Sequence, residues 1–186
     1  DPLEVDAYVY TDAADALRAG EILENNRQWV EAINHYEATL ERFTDDEGLK
    51  YGLRRTRIHF GVDRRYSDRS FEEKLLTKGR AEALDLFEDI LSRVQYEYVE
   101  PIKETRFVAH GTESLYMALK NDRFIRKNKL DDKTEAIDRV RQILIKDFWN
   151  RRIDSRMQAL SIITAVCDLC QRELGISGTV DVMENI

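Results

Sequence analysis

Apolar residues recur at spacings of three and four along most of the chain, the period of helices with one buried stripe. Between Asp12 and Asn25 the stripe is Ala13, Ala16, Leu17, Gly20 and Leu23, with Asp12 placed to cap and Asp15 behind it. From Trp29 to Phe43 it is Trp29, Ala32, Ile33, Tyr36, Leu40 and Phe43; the polar turn before it is so short that the two helices must pack antiparallel. A third helix, about Asp46 to Arg65, carries Leu49, Leu53, Thr56 and Phe60. Ser70 and Glu73 form a capping box ahead of Leu75, Ala83, Leu84, Phe87, Ile90, Leu91 and Val94, a helix that Gly79 kinks or splits. Two more follow: Asp132 to Asn150 on Ile137, Val140, Leu144 and Phe148, and Ser155 to Leu174 on Met157, Leu160, Ile163, Val166, Cys167 and Cys170. The last is apolar nearly all round and belongs at the centre of its core. Gly175 and Gly178 end it, and Thr179 to Glu184 reads as the opening turn of another helix.

The pattern predicts an all-α fold of about seven helices. Gly20, Leu23, Trp29, Ala32, Ile33, Tyr36 and Leu40 resemble the alternating small and large positions of a tetratricopeptide repeat. Small residues at Gly20 and Ala32 let the paired helices approach, while Trp29 and Tyr36 fill the space beside them. The third helix sits where a second repeat would begin, although its partner does not keep the pattern.

A second resemblance runs from Arg80 to Phe124. Ala83-Leu84-Asp85-Leu86-Phe87-Glu88-Asp89-Ile90-Leu91 leads to Tyr98-Val99-Glu100-Pro101, then to Phe107, Gly111, Leu115, Ala118, Leu119 and Phe124. This order is similar to the helical segment ahead of the PDZ and catalytic regions of carboxyl-terminal processing proteases, the tail-specific serine proteases with a Ser-Lys dyad. Pro101 suits a turn before a new helix, and Gly111 a close helix contact. The two helices inserted after this stretch depart from that family. The expected division is residues 1–68, a tetratricopeptide-like hairpin plus third helix, and 69–186, a helical bundle resembling the region before the PDZ segment.

Composition narrows the function. Charged residues make up 35% of the chain and the net charge is -7, which disfavours nucleic acid as a partner because phosphate binding needs concentrated positive charge. The local exception, Arg54, Arg55, Arg57, Arg64, Arg65 and Arg69, reads as a solvated helix face. No stretch approaches the roughly 18 apolar residues of a membrane span. The start at Asp1-Pro2, without Met, is the start expected of a fragment or of a chain whose leader was removed, so export stays open.

Candidate chemistry is sparse. Cys167 and Cys170 form a C-x-x-C with no second pair to complete a zinc site, and their apolar surroundings point to buried structural thiols. His35, His59 and His110 lack metal-ligand spacing and are expected at the surface or at caps. Neither Gly-x-Ser-x-Gly nor Ser-x-x-Lys occurs, and Gly111-Thr112-Glu113-Ser114 has no identifiable base. The acid pairs Asp45-Asp46, Glu72-Glu73 and Asp131-Asp132 stand at helix starts, where they complement the helix dipole. No phosphate loop is present, and no catalytic residue, metal ligand or cofactor is expected.

By position, Leu17, Glu21 and Asn25 on the first helix and Tyr51, Arg55 and His59 on the third would line the ligand face of a tetratricopeptide array; ordinary solvent exposure is the alternative. The protease resemblance implies a non-catalytic N-terminal module of a Ser-Lys endopeptidase. Such a module would recruit a substrate or adaptor protein, contact the rest of its own protease chain, or form a homo-dimer. It also implies an extracytoplasmic or periplasmic location. The rival is a free-standing tetratricopeptide-like adaptor for a peptide or protein; a small helical enzyme would need a polar pocket that the sequence does not announce.

Overall fold

A computed structural model of the chain describes residues 10–97, 104–149 and 151–185. These residues form an all-α fold of ten α-helices and one π-helical turn, without a strand. The count exceeds seven because two of the expected helices break in two and the segment near Ile186 forms a helix of its own. The chain divides into two compact units, Asp1–Gly61 and Val62–Ile186, seven residues earlier than the 68/69 boundary expected.

The first unit comprises α1 (Ala13–Asn25), α2 (Trp29–Arg42) and α3 (Glu47–Arg65) as far as Gly61. Asp12 caps α1 by accepting from Asp15 N at 2.8 Å, and Asp46 caps α3 by accepting from Leu49 N at 2.8 Å. Arg42 at the end of α2 donates to Tyr10 O just ahead of α1, while Tyr36 in the middle of α2 meets Glu24 near the end of α1, so the pair runs antiparallel. Ala16, Ala32, Tyr36 and Leu49 are fully buried, with Leu17, Leu23, Leu40, Phe43 and Leu53 packed around them.

Tyr36 organises this core. A Cβ at Gly20 would fall 2.3 Å from Tyr36 Cζ, and one at Gly52 only 2.6 Å from the same atom. The ring therefore occupies a slot that exists because α1 and α3 each present bare backbone to it. Gly20 was legible as a small position; Gly52 was not.

The second unit contains α4 (Arg69–Lys74), α5 (Arg80–Glu97), α6 (Glu104–Ala118), α7 (Asp122–Lys127), α8 (Thr134–Ile143), α9 (Arg156–Leu174) and α10 (Gly178–Asn185). The capping box at Ser70 does not form: Asp68 caps α4 through Ser70 N at 2.8 Å, while Glu73 takes Arg69 Nε at 2.6 Å. The chain breaks at residues 75–79, and Gly79 immediately precedes α5. After α6 the buried Asn121 ends the helix and starts α7, its Oδ1 accepting from Arg123 N and Phe124 N. The helix expected to reach Asn150 instead widens after Ile143 into a π turn, Leu144–Phe148, closed by Trp149 N to Leu144 O at 2.9 Å.

Helix α9 packs against α5, α6, α8 and α10, as its apolar content requires, yet Ser161, Ala165, Asp168 and Arg172 keep one face in solvent. It is central but not enclosed. Ser155 caps it, and Gly175, at φ 71°, ends it in the left-handed region that favours glycine. Cys167 and Cys170 are buried thiols not joined in a disulfide, with Cys167 Sγ donating to Gly178 O at 3.4 Å. The turn Tyr98 to Pro101 lies outside the described residues. No described helix is long and apolar enough to cross a membrane.

Replacing Gly20 with Ala tests the slot. In an exposed helix this change gains up to about 1 kcal/mol, but here overpacking costs about 1–3 kcal/mol. Chemical denaturation followed by circular dichroism should show a net loss; a stabilised variant would contradict the placement of Tyr36.

Candidate functional site

Three of the six residues expected on a ligand face meet between α1 and α3. Arg55 reaches across to Glu24 with two parallel hydrogen bonds, Nε to Oε2 and Nη2 to Oε1, each 2.7 Å. Glu21 Oε1 stands 3.9 Å from Arg55 Nη2, and the guanidinium carbon lies 5.3 Å from the centre of the Tyr51 ring. Tyr51 remains 43% exposed beneath it. The result is an aromatic ring and a cation held in one orientation on a half-exposed surface.

Glu24 and Tyr36 make that arrangement, and neither was expected in the site. The Tyr36 hydroxyl, buried at the end of its slot, donates to Glu24 Oε1 at 2.6 Å. Burial first, and then the Glu24 carboxylate, push the Tyr36 hydroxyl far above its ordinary value. The hydrogen bonds that Arg55 donates to Glu24 push its guanidinium up likewise. A buried tyrosine needs an acceptor, and that rule was the available clue to Glu24.

Of the other three, Leu17 and His59 go elsewhere. Leu17 packs against the core, where a Cβ on Gly48 would lie 3.1 Å from its Cδ2. His59 stacks on Trp29 with ring centres 5.3 Å apart and planes 10° apart. Asn25 is exposed at the end of α1. His35 is not a surface residue either, since its Nε2 lies 2.7 Å from Ala16 O and ties α2 to α1; His110 is exposed.

The arginine run is likewise not simply a solvated face. Arg55 and Arg65 are half-buried against carboxylates, and Arg57 and Arg69 pair with Glu37 and Glu73. Paired guanidiniums leave little net positive field there.

In the second unit, Glu184 on α10 is fully buried with Oε2 2.5 Å from Arg65 Nη2 and 3.4 Å from the hydroxyl of Ser114 on α6. Tyr66 is buried beside it. Burial pushes the Glu184 carboxyl up, outweighing the opposite pull of Arg65. Burial and then the Glu184 charge push the Tyr66 hydroxyl up as well. A carboxylate sealed in this way holds α10 in place and meets no solvent-borne substrate. Arg141 is also engaged in packing: its guanidinium carbon sits 4.1 Å over the Tyr116 ring, which in turn meets Trp149 edge-on. Among the described residues no group of three His, Cys, Asp or Glu is arranged to hold a metal ion.

No family model matches the chain, no curated protein matches it, and no solved structure matches it.

Glu184 yields a pH prediction. A carboxyl raised in the folded state contributes stability that is complete below its unfolded value, ordinarily 4.5, and is lost as pH rises through the folded value. Urea midpoints across pH 4 to 8 should therefore fall more with rising pH in the native chain than in Glu184→Gln. Identical pH dependence in the two proteins would show that Glu184 is not the group responsible.

Proposed function

We propose that the chain is a non-catalytic helical module for protein–protein association, with the α1 and α3 surface around Tyr51 as a contact face for a peptide or protein. The observation that carries this reading is the Glu24–Arg55 fork, which presents Tyr51 and Arg55 already oriented. Tyr and Arg are the side chains that most often anchor interfaces, and prior ordering lowers the entropy cost of binding. Glu21 and the exposed Asn25 extend the same face along α1.

The context we propose is the N-terminal part of a tail-specific protease, where such a module would recruit substrate or adaptor, contact its own protease chain, or dimerise. Support for it is the sequence resemblance between Arg80 and Phe124, together with α5 and α6 on either side of the turn region, burying Ala83, Phe87, Leu91, Leu115 and Ala118. An extracytoplasmic location belongs to that proposal. A free-standing adaptor uses the same α1 and α3 face, so the contexts separate on the parent reading frame: encoded PDZ and Ser-Lys regions after Ile186 favour the protease, a stop codon the adaptor.

An array of peptides of about twelve residues, probed with the purified chain, tests the binding role. The double variant Glu21→Ala/Tyr51→Ala should weaken the peptides captured by at least about fivefold, with helical content unchanged and Lys50→Ala without effect. Equal capture by the double variant, no saturable capture at all, or peptide cleavage by the purified chain would overturn it.

A further inference from the structure

Many cations of this chain pair with carboxylates, and two arginines that pair with none among the described residues lie together. Arg93 and Arg156 line an open groove of about 520 Å³ with Ser92, Gln95 and Tyr96. The groove is formed where the end of α5 meets the start of α9, within the second unit. Neither arginine makes an ion pair among the described residues. By contrast Arg55, Arg57, Arg65, Arg69, Arg80 and Arg152 each have a carboxylate within 3 Å. In a chain of net charge -7, two arginines without an acidic partner among the described residues stand together at one groove.

The groove is also ordered internally. Gln95 donates from Nε2 to Glu104 Oε1 at 2.7 Å and accepts from Arg156 Nη2 at 3.2 Å, which ties the Arg156 side chain to α5 and occupies the neighbouring Glu104. Ser92 donates to Glu88 O and is already satisfied. What stays open is therefore guanidinium and apolar surface. Tyr96 is 92% exposed and Met157, next to Arg156 on α9, is 79% exposed, the two most exposed large apolar side chains described. Neither is needed by the core, and leaving both in water has an unfavourable hydration cost that a partner would relieve.

We infer that this groove docks an acidic peptide segment in which an apolar side chain sits beside carboxylates, the acids on Arg93 and Arg156 and the apolar group against Tyr96. Charge complementarity selects that occupant. A guanidinium binds a carboxylate through two parallel hydrogen bonds, and the two guanidiniums repel basic segments by like charge. This surface shares no residue with the α1 and α3 face and does not depend on the role proposed for it.

The test is fluorescence anisotropy with the full chain and a labelled peptide of about ten residues, Asp and Glu flanking a central Leu-Phe pair. Saturable binding should weaken at least about threefold as salt rises from about 50 to about 300 mM. The pair Arg93→Glu/Arg156→Glu should weaken it at least about tenfold, and the neutral pair Arg93→Gln/Arg156→Gln by a smaller factor, each with an unchanged circular dichroism spectrum. Should the reversal pair unfold, the neutral pair carries the test, because both side chains lie at the surface. Tyr96→Ala should cost about threefold. Glu21→Ala/Tyr51→Ala should leave this binding unchanged.

Several outcomes would overturn the inference. They are no saturable binding, an Asn/Gln version of the peptide binding equally well, or undiminished binding by the charge variants. Tighter binding of a single-stranded oligonucleotide of the same charge would also overturn it, and would assign the groove to nucleic acid instead.

Discussion

The Tyr36 side chain fits where it does because two helices carry no side chain facing it. Gly20 and Gly52 leave a slot, the ring fills it, and the hydroxyl emerges beside Glu24. From there the order propagates by charge: Glu24 grips Arg55, and Arg55 covers Tyr51. One packing constraint thus sets both the spacing of three helices and the chemistry of the surface they share. A buried phenol without an acceptor would be costly, so the core and the surface cannot be arranged independently.

A comparable polar constraint operates in the second unit, in a less forgiving environment. Glu184 lies buried, and Arg65 and the hydroxyl of Ser114 stabilise its charged form against that burial. Asn121, also buried, satisfies two amide groups of α7 with its oxygen and Asp63 with its nitrogen at 2.9 Å. These residues specify which surfaces of α6, α7 and α10 face inward more narrowly than apolar contact alone can, since leucine and isoleucine accept many neighbours.

Charge pairing also separates the structural polar groups from those open to a partner. The arginines between Arg54 and Arg69 looked like a patch in one dimension, but four of them have carboxylates waiting in three. Arg93 and Arg156, 63 positions apart in the chain, drew no notice as a pair and share a groove. Sequence neighbours on a helix project around its axis, whereas a groove gathers residues from whichever helices border it.

What the sequence determined by itself was the all-α class, the positions of α1, α2, α3 and α9 to within a residue or two, the cap at Asp12, and the burial of Cys167 and Cys170. Each follows from periodicity or a local hydrogen bond, interactions that close within a few residues. The tertiary structure decided the rest. It moved the cap of α4 to Asp68, broke α6 from α7 at Asn121, and opened the π turn after Ile143. It drew Leu17 and His59 away from the expected face and put Glu24 behind it. Those outcomes depend on partners tens of residues distant, and no local pattern records which buried hydroxyl or carboxylate will find which cation once the helices have packed.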